Sequence, residues 1–289
     1  MKDFKSKWEM RFDATSLKLS ESEFVILRDL IHNQLGLFYS DSKRDLLGEK
    51  LSPLVIERGF SSFLDYYYLL KYDSFEADKE WKQVIDALRV PETFFWREFE
   101  QIKALVKVVV PQYFANNTIK PLRIWSAACS SGEEPLTIAL ALNEAGLLER
   151  FPIEIFASDI SATVVNKAKQ GIYRSYAMRY VPEEVKAKYF QKQTDTWQLD
   201  SQMISKIKWT TANLTIKSRF AHLALSSVIF CRNVFIYFSD KQIQETVQTF
   251  FDFMPTPGYL FVGSSESLLR IRTDFDLQEI GGIYVYVKQ

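Results

Sequence analysis

Apolar residues recur at helical spacing through residues 1–90 of the chain. The first segment begins at a capping box formed by Ser20 and Glu23 and is expected to end at Gly36. Its apolar positions lie on one helix face, at Phe24, Leu27, Ile31 and Leu35. Three further helical segments follow it. The pattern therefore predicts an all-α N-terminal domain.

The second helix is predicted over residues 42–58, with Gly59 as its end. Pro53 lies inside it, and an interior proline removes a backbone hydrogen bond at a cost of about 3 kcal/mol. We therefore expect a kink or a break at Pro53. A short aromatic helix follows Ser61-Ser62, and we expect its aromatic residues to be core. Its apolar residues include Phe63, Leu64, Tyr67 and Tyr68.

Short β-prone runs alternate with helical segments after residue 120. Strands are expected to begin at Leu122 and over residues 153–159, within 223–231, and over 259–263 and 283–287. This alternation is typical of an α/β fold with a parallel sheet. A polar stretch interrupts it, and its alternating residues 189–190, 196–199 and 204–209 predict a small antiparallel insertion.

These patterns divide the chain into three parts. Residues 1–90 form the helical domain, residues 91–115 a linker and lip over a ligand pocket, and residues 116–289 the α/β domain. The inserted β subdomain is expected at about residues 175–210.

Composition narrows the functional classes. The chain has 289 residues with 36 Lys and Arg against 36 Asp and Glu, so no overall charge favours nucleic acid. Only two histidines are present, which argues against a His-based triad or a multi-histidine metal site. Cys129 and Cys231 follow apolar runs and are expected to be buried and reduced. Without an apolar run long enough to span a membrane, a cytoplasmic location is expected.

The loop after the first strand, residues 126–132, is the first candidate site. Its small residues let a ligand approach the backbone, and the following helix start offers N–H groups. Glu133 and Glu134 at that position argue against a pyrophosphate and favour a ligand with positive charge, such as S-adenosylmethionine. An ordinary strand–helix connection explains the pattern equally well. The loop lacks the paired glycines that a nicotinamide dinucleotide requires.

Two other positions have alternative interpretations. Asp159 ends the second strand, where an acid accepts hydrogen bonds from ribose hydroxyls, but such acids are more often helix caps and Ser161 competes for that role. Residues 91–98 combine Pro91 with an aromatic cluster and Arg97. They fit a packed interdomain linker, or a lip on which Arg97 offers a bidentate fork to a carboxylate.

Seven stretches together resemble one family, the chemotaxis receptor (CheR-type) protein-glutamate methyltransferases. They keep the family's order and spacing over nearly the whole chain. The stretches are 92–98, 124–135, 156–160, 169–174, Asn213-Leu214, 230–238 and 258–268.

The resemblance implies a helical N-terminal domain, a class I S-adenosylmethionine-dependent methyltransferase domain and a three-stranded β subdomain inserted in it. It implies methyl transfer to glutamates on the cytoplasmic helices of chemoreceptors, yielding S-adenosylhomocysteine without a metal. We expect a monomer that reaches the membrane only through the receptor. By position, the residues implied to contact the cofactor are Thr93, Arg97, Glu134, Asp159, Asn213, Leu214, Arg232 and Asn233. Within this set Asp159 is implied to take the ribose and Asn213 to lie near the adenine. Arg97 and Tyr237 are implied to lie near the reacting centre.

The chain departs from the family at several positions. Pro91 stands where Asn is common, and Ser226-Ser227 replace a usual Phe-Asp. On the second helix, residues 53, 54 and 56 are Pro, Leu and Ile where related receptor-modifying proteins often carry arginines, while Lys50 is retained. Complementarity to acidic receptor helices is thereby weakened. The substrate is then a divergent receptor or another protein, and the alternative function is a module that binds S-adenosylmethionine or a signalling partner without methyl transfer.

Overall fold

The computed structural model describes residues 17–116 and 120–289. Residues 1–16 lie outside the described part of the chain. The chain divides into two compact units, Met1–Val90 and Pro91–Gln289, and each is described by itself. Within the described ranges, no helix combines the length and apolar character needed to cross a membrane.

The first unit is helical. Its first helix has the predicted capping box at Ser20 and ends at Gly36 in the left-handed conformation, so this prediction is confirmed. Its helices are α1 (Glu21–Leu35), a 3-10 turn (Asp41–Lys43), α2 (Arg44–Glu57), α3 (Phe63–Tyr72) and α4 (Ala77–Leu88).

Of the two alternatives predicted at Pro53, the break is wrong, because α2 continues through this residue, and the kink stays a prediction. Pro53 lies on the exposed face of α2, where water can hydrate the carbonyl that loses its donor. Leu51 and Val55, on either side, are fully buried. Burial of both halves of the helix therefore outweighs the lost hydrogen bond.

The aromatic residues of α3 are only partly core. Phe63 and Tyr66 are fully buried, but Tyr68 is 52% and Tyr72 65% exposed. Because α3 packs on one side only, residues one turn apart on its other face remain in solvent. The expectation of a core role is wrong for Tyr68.

Lys50 serves the helical unit itself. Its ammonium donates hydrogen bonds to the carbonyls of Ala87, Leu88 and Arg89 at 3.2–3.3 Å, at the carboxyl end of α4. These carbonyls have no partner within their helix, so Lys50 is a side-chain cap. Burial, and then the nearby Arg89 charge, lower the pKa of Lys50. The retained Lys50 is thus engaged in a contact within the unit.

The second unit begins with a helical segment and continues as an α/β fold. The segment comprises α5 (Phe99–Ala104), a π-helical turn (Leu105–Val109) and α6 (Val110–Asn116). The later helices are α7 (Glu133–Glu144), α8 (Leu147–Arg150), α9 (Ala162–Gln170), α10 (Glu183–Tyr189), α11 (Ser201–Ser205), α12 (Lys217–Phe220) and α13 (Asp240–Phe253). The strands are β1 (Leu122–Ala127), β2 (Ile153–Asp159), β3 (Ile172–Arg174), β4 (Phe190–Lys192), β5 (Thr196–Leu199), β6 (Ile207–Thr211), β7 (Val228–Cys231), β8 (Gly258–Val262), β9 (Asp276–Ile280) and β10 (Ile283–Lys288).

The strands form two sheets. The main sheet has the order β6-β2-β1-β7-β8-β10-β9, with the first five strands parallel and β10 antiparallel to both of its neighbours. The small sheet, β3-β5-β4, is antiparallel. Together with the all-α unit, this confirms the predicted fold class.

One predicted member of the insertion belongs elsewhere. The stretch 204–209 includes the start of β6, which pairs in parallel with β2 in the main sheet, in a register that sets Thr211 beside Asp159. The small sheet instead starts earlier, at Ile172. Alternation along a short strand indicates that it pairs, but not with which partner, and this is why the sequence misplaced it.

Candidate active site

The candidate site lies where parallel strands end. In the main sheet β1 stands between β2 and β7, and their connections leave in opposite directions along the sheet. Near its end, Ala127 pairs with Ser158 of β2 and with Cys231 of β7. In open α/β sheets, ligands bind in the crevice at this switch point, outside the carboxyl ends of the strands.

The loop after β1 has an unusual backbone. Ala128, Ser130 and Gly132 have φ values of 60°, 50° and 94°. A Cβ on Gly132 would lie 2.7 Å from the Ala168 Cβ and 2.9 Å from the Trp209 ring. Only glycine fits there, because α9 and β6 pack closely against the loop. Strained backbone of this kind concentrates at ligand sites.

Asp159 fixes this loop. Its carboxylate accepts hydrogen bonds from the Ser130 and Ser161 N–H groups, each at 2.9 Å, and the residue is 7% exposed. Ser161 is the N-cap of α9, since its hydroxyl accepts from the Val164 N–H. The two residues therefore have different roles: Ser161 caps the helix and Asp159 joins β2 to the β1 loop. Its ribose contact stays a prediction.

Glu134 forms an ion pair across the site. One of its oxygens accepts from the Ser126 hydroxyl at 2.6 Å and the other from the Arg232 Nε at 2.5 Å. The Arg232 side chain is 3% exposed, and its Nη1 donates to the Arg97 carbonyl at 3.1 Å. Arg232 thus ties the end of β7 to α7 and to the segment that carries Arg97.

That segment, residues 91–98, is here called the lip. Its Phe95 N–H donates to the Ala177 carbonyl in the insert at 3.0 Å, and its Trp96 N–H to the Thr137 hydroxyl of α7 at 3.3 Å. The Glu98 carboxylate accepts from the Ser264 N–H at 3.1 Å. The lip is therefore packed against three parts of the second unit.

Two predicted residues, Thr93 and Arg97, lie half-buried on the lip. The Arg97 Nη1 donates to the Glu92 carbonyl at 2.8 Å, and its guanidinium lies 5.5 Å from the Phe94 ring centroid. Within residues 17–116 and 120–289, no carboxylate lies within 4.0 Å of the Arg97 guanidinium. Thr93 is half-buried beside them. Among the described residues, Arg97 therefore has no carboxylate partner.

Glu266 organises the turn after β7, and sequence reasoning missed it. It is 5% exposed, and its carboxylate accepts from the N–H groups of Asn233, Gly263 (2.8 Å) and Ile236 (3.2 Å). Asn233 has a φ of 60°, so the turn needs such an anchor. Burial raises the pKa of Glu266 despite these donors. The available signal was an acid just after a predicted parallel strand, within the matching stretch 258–268.

Tyr237 ends the same turn and is half-buried. Burial raises the pKa of its phenol, while the Arg97 charge lowers it and the Glu266 and Glu92 charges raise it. Arg97 and Tyr237 are therefore electrostatic neighbours. The phenol stays protonated at neutral pH and can donate a hydrogen bond.

The remaining two predicted residues follow β6. The Ala212 N–H donates to the Asp159 carbonyl at 3.0 Å, which sets the next residue, Asn213, beside the end of β2. The Asn213 side-chain oxygen accepts from the Thr215 N–H at 2.9 Å, and Leu214 is 6% exposed. The predicted residues thus lie along the ends of β6, β2, β1 and β7, and on the lip.

The charges of the crevice suit a cationic ligand. Burial raises the pKa of the Cys129 thiol well above its usual value, and the charges of Asp159, Glu134 and Glu133 add to it. The Ser130 hydroxyl is buried and has no hydrogen-bond partner in the described part of the chain. An acidic crevice with an unused hydroxyl fits the ammonium, sulfonium and ribose hydroxyls of S-adenosylmethionine. Across the residues described, no group of three or more acidic, His or Cys side chains could hold a metal ion.

Comparison with known proteins agrees with this chemistry. Residues 91–281 match the description "CheR methyltransferase, SAM binding domain", and residues 22–88 match "CheR methyltransferase, all-alpha domain". Chemotaxis protein methyltransferase 2 of Vibrio cholerae is 34% identical over 90% of this chain and 90% of its own. The chemotaxis protein methyltransferase of Borreliella burgdorferi is 31% identical over 88% and 90%, and that of Escherichia coli 30% over 91% and 90%. The chain therefore belongs to the CheR methyltransferase family and is an S-adenosylmethionine-dependent methyltransferase.

Proposed function

We propose that the protein transfers the methyl group of S-adenosylmethionine to glutamate side-chain carboxylates of chemoreceptors. The products are glutamate methyl esters and S-adenosylhomocysteine. The observation that carries this proposal is the pairing of an acidic strand-end crevice with Arg97 and Tyr237 beside it. The family match does not favour the alternative of a module that binds without transferring a methyl group.

In this proposal the crevice holds the cofactor. Glu134 accepts donors from its ammonium group and Asp159 accepts its ribose hydroxyls, while Asn213 and Leu214 border the adenine. The remaining contacts come from Thr93, Arg97, Arg232 and Asn233. Bound S-adenosylmethionine supplies an activated methyl group on a sulfonium.

The lip and the turn after β7 serve the substrate. A glutamate carboxylate is ionised at pH 7 and needs no base to become a nucleophile. The protein has to orient the approach of this carboxylate to the methyl group and reduce its hydration. Arg97 orients the carboxylate through its fork. The Tyr237 phenol, which is protonated at neutral pH, donates a hydrogen bond beside it.

The cellular setting follows from this substrate class. We expect a cytoplasmic monomer that reaches the membrane only through the receptor and has no nucleic-acid partner. The solvent side of α2 carries Asp45, Glu49 and Glu57 beside Arg44, and Lys50 caps α4, so α2 offers little positive charge to an acidic helix. Receptor recognition must then use positive charge on elements other than α2.

The test is release of alkali-labile methyl groups. The protein is incubated with methyl-labelled S-adenosylmethionine and chemoreceptor-containing membranes, and base-released methanol is counted. We expect Arg97→Ala to lower kcat by about 10²–10³-fold because a preorganised charge is lost. Binding of S-adenosylhomocysteine, measured by calorimetry, should weaken far less than kcat falls, because Arg97 is only one of several proposed cofactor contacts. The exposed Arg272→Ala is the matched control and should leave both unchanged.

Wild-type protein that binds S-adenosylhomocysteine but releases no methanol would contradict carboxylate transfer. Full activity in Arg97→Ala would exclude the proposed role of Arg97.

A further inference from the structure

A second arginine lies beside Arg97, on the turn between β3 and α10. The Arg179 guanidinium lies 3.6 Å from the Phe94 ring centroid and 3.8 Å from that of Tyr176. Arg97 lies over the same Phe94 ring at 5.5 Å. Two guanidinium groups therefore share one aromatic ring of the lip.

Glu92 is the carboxylate that meets Arg179. The Tyr176 hydroxyl donates to the Glu92 Oε1 at 2.7 Å, and the Arg179 Nη2 lies 3.6 Å from the same oxygen. The Glu92 side chain is 51% exposed and Tyr176 is 56% exposed. The Arg179 side chain is 26% exposed, and its 3.6 Å pair with a half-exposed carboxylate contributes little, so another carboxylate can replace Glu92 at small cost.

This cluster adjoins the reacting centre. The Glu92 carbonyl accepts from Arg97, and the charges of Arg97 and Glu92 both act on the Tyr237 phenol. The cluster of Glu92, Arg97 and Arg179 has two guanidinium charges against one carboxylate. An acidic polypeptide that presents one carboxylate to Arg97 meets a second cation at Arg179.

We propose that Tyr176 and Arg179 bind a second carboxylate of the protein substrate, on an acidic residue near the methylated glutamate. Glu92 holds this position until the substrate displaces it. The occupant is an acidic polypeptide segment with two carboxylates. The inference rests on the proposed function and names the substrate feature that Tyr176 and Arg179 select.

A purely structural role of Glu92, Tyr176 and Arg179 predicts a different effect of substitution. The lip already contacts the insert through the Phe95 N–H and the Ala177 carbonyl. If Glu92, Tyr176 and Arg179 only reinforced that contact, their substitution would lower stability and weaken every substrate by the same factor. Selectivity between substrates separates the two roles.

The experiment compares two forms of one purified chemoreceptor cytoplasmic fragment. One keeps the acidic residues that flank the methylated glutamates, and the other has them replaced by Asn and Gln. The Kd of each fragment is measured by fluorescence anisotropy with protein saturated with S-adenosylhomocysteine, and KM and kcat are measured by methyl release. The variants are Arg179→Gln, Arg179→Lys and Glu92→Gln, with the exposed Arg272→Gln as control.

We expect Arg179→Gln to raise the Kd and KM of the acidic fragment about three- to fivefold, with kcat unchanged and the amidated fragment unaffected. Glu92→Gln should tighten the acidic fragment because the internal competitor is removed. Arg179→Lys should lie between wild type and Arg179→Gln.

Equal changes for the two fragments, or weaker acidic-fragment binding in Glu92→Gln, would overturn the proposal. Because the Kd readout needs no turnover, a wild type that transfers no methyl would refute the proposed function while the Kd difference still decides this inference. Thermal unfolding of each variant identifies any loss of the fold.

Discussion

Three buried carboxylates, Glu80 of the helical unit and Asp159 and Glu266 of the α/β unit, are bound in two different ways. In the helical unit, Glu80 is 2% exposed and is met by side chains, the Arg58 Nε and the Tyr66 hydroxyl, each at 2.6 Å. In the α/β unit, Asp159 and Glu266 are met by backbone N–H groups of the loops at the strand ends.

The difference shows what each carboxylate does. The side-chain network of Glu80 joins the end of α2 to α3 and α4. A carboxylate bound to loop N–H groups fixes the backbone at the site, including positive-φ residues such as Ser130 and Asn233. The first arrangement stabilises the fold and the second shapes a pocket. Substitutions should therefore separate stability from ligand affinity.

The largest effect is expected at Glu80. Glu80→Ala should lower the free energy of unfolding by about 2–3 kcal/mol, since it leaves the buried Tyr66 hydroxyl without its acceptor and removes one of the two carboxylates that pair with Arg58. Urea unfolding followed by circular dichroism measures it. Glu76, which also pairs with Arg58 but is 28% exposed, is the matched control, and Glu76→Ala should cost about 1 kcal/mol or less. Equal costs would contradict the role assigned to burial.

Glu134 is also bound by side chains, but it lies in the crevice, so Glu134→Gln should lower ligand affinity rather than stability. We expect the Kd of S-adenosylhomocysteine to rise about tenfold because the ammonium loses a charged acceptor. Gln keeps a carbonyl oxygen for the buried Arg232 Nε, and its amide N–H can donate to the Ser126 hydroxyl, whereas Ala would leave the Arg232 Nε without its carboxylate acceptor. Calorimetry measures the affinity. Glu144→Gln, at the far end of α7 where the carboxylate binds Lys188, is the control and should leave the Kd unchanged.

Lys50→Met tests whether Lys50, like Glu80, stabilises the fold without contributing to ligand affinity. Loss of the cap on α4 should lower the free energy of unfolding by about 0.5–1.5 kcal/mol, with the Kd of S-adenosylhomocysteine unchanged. Urea unfolding is the measurement, and exposed Lys82→Met on α4 is the control. An unchanged stability would show that the three carbonyls are satisfied equally well by water.

The smallest effect is a pH dependence at Glu266. Burial raises its folded-state pKa above the usual value of about 4.3, so the folded protein binds this proton more tightly than the unfolded chain does. Its contribution to stability is full below the unfolded pKa and is lost as pH rises through the folded pKa. Wild type should therefore lose stability relative to Glu266→Gln as pH rises from 4. Urea unfolding across pH 4–8 measures this difference, with exposed Glu245→Gln as control; an increase would contradict the sign.

Local signals in the sequence were enough for much of the fold. Ser20 with Glu23 and Gly36 mark both ends of α1, and Asp159 marks the end of β2. Each of these features depends on residues within a few positions of one another, so pattern and cap chemistry predict them.

What the sequence did not predict depends on distant partners. The place of β6 is decided by pairing with β2, and the role of Lys50 by the end of α4. The anchors Glu98 and Glu266 act on Ser264 and on the turn at Asn233. No periodicity along the chain records these contacts. For the site residues, the resemblance supplied the expected roles, and the fold supplied the strand ends and the lip where they lie.

The two cysteines give the crevice an intrinsic chemical reporter. Cys129 and Cys231 are the chain's two cysteines, and both are buried and unbridged. Burial raises the pKa of each thiol well above its usual value, which keeps the reactive thiolate scarce in the folded state. Alkylation by a thiol reagent therefore has to wait for local opening of the β1 loop or the end of β7. The rate at which the unmodified protein is labelled therefore measures how often the crevice opens locally.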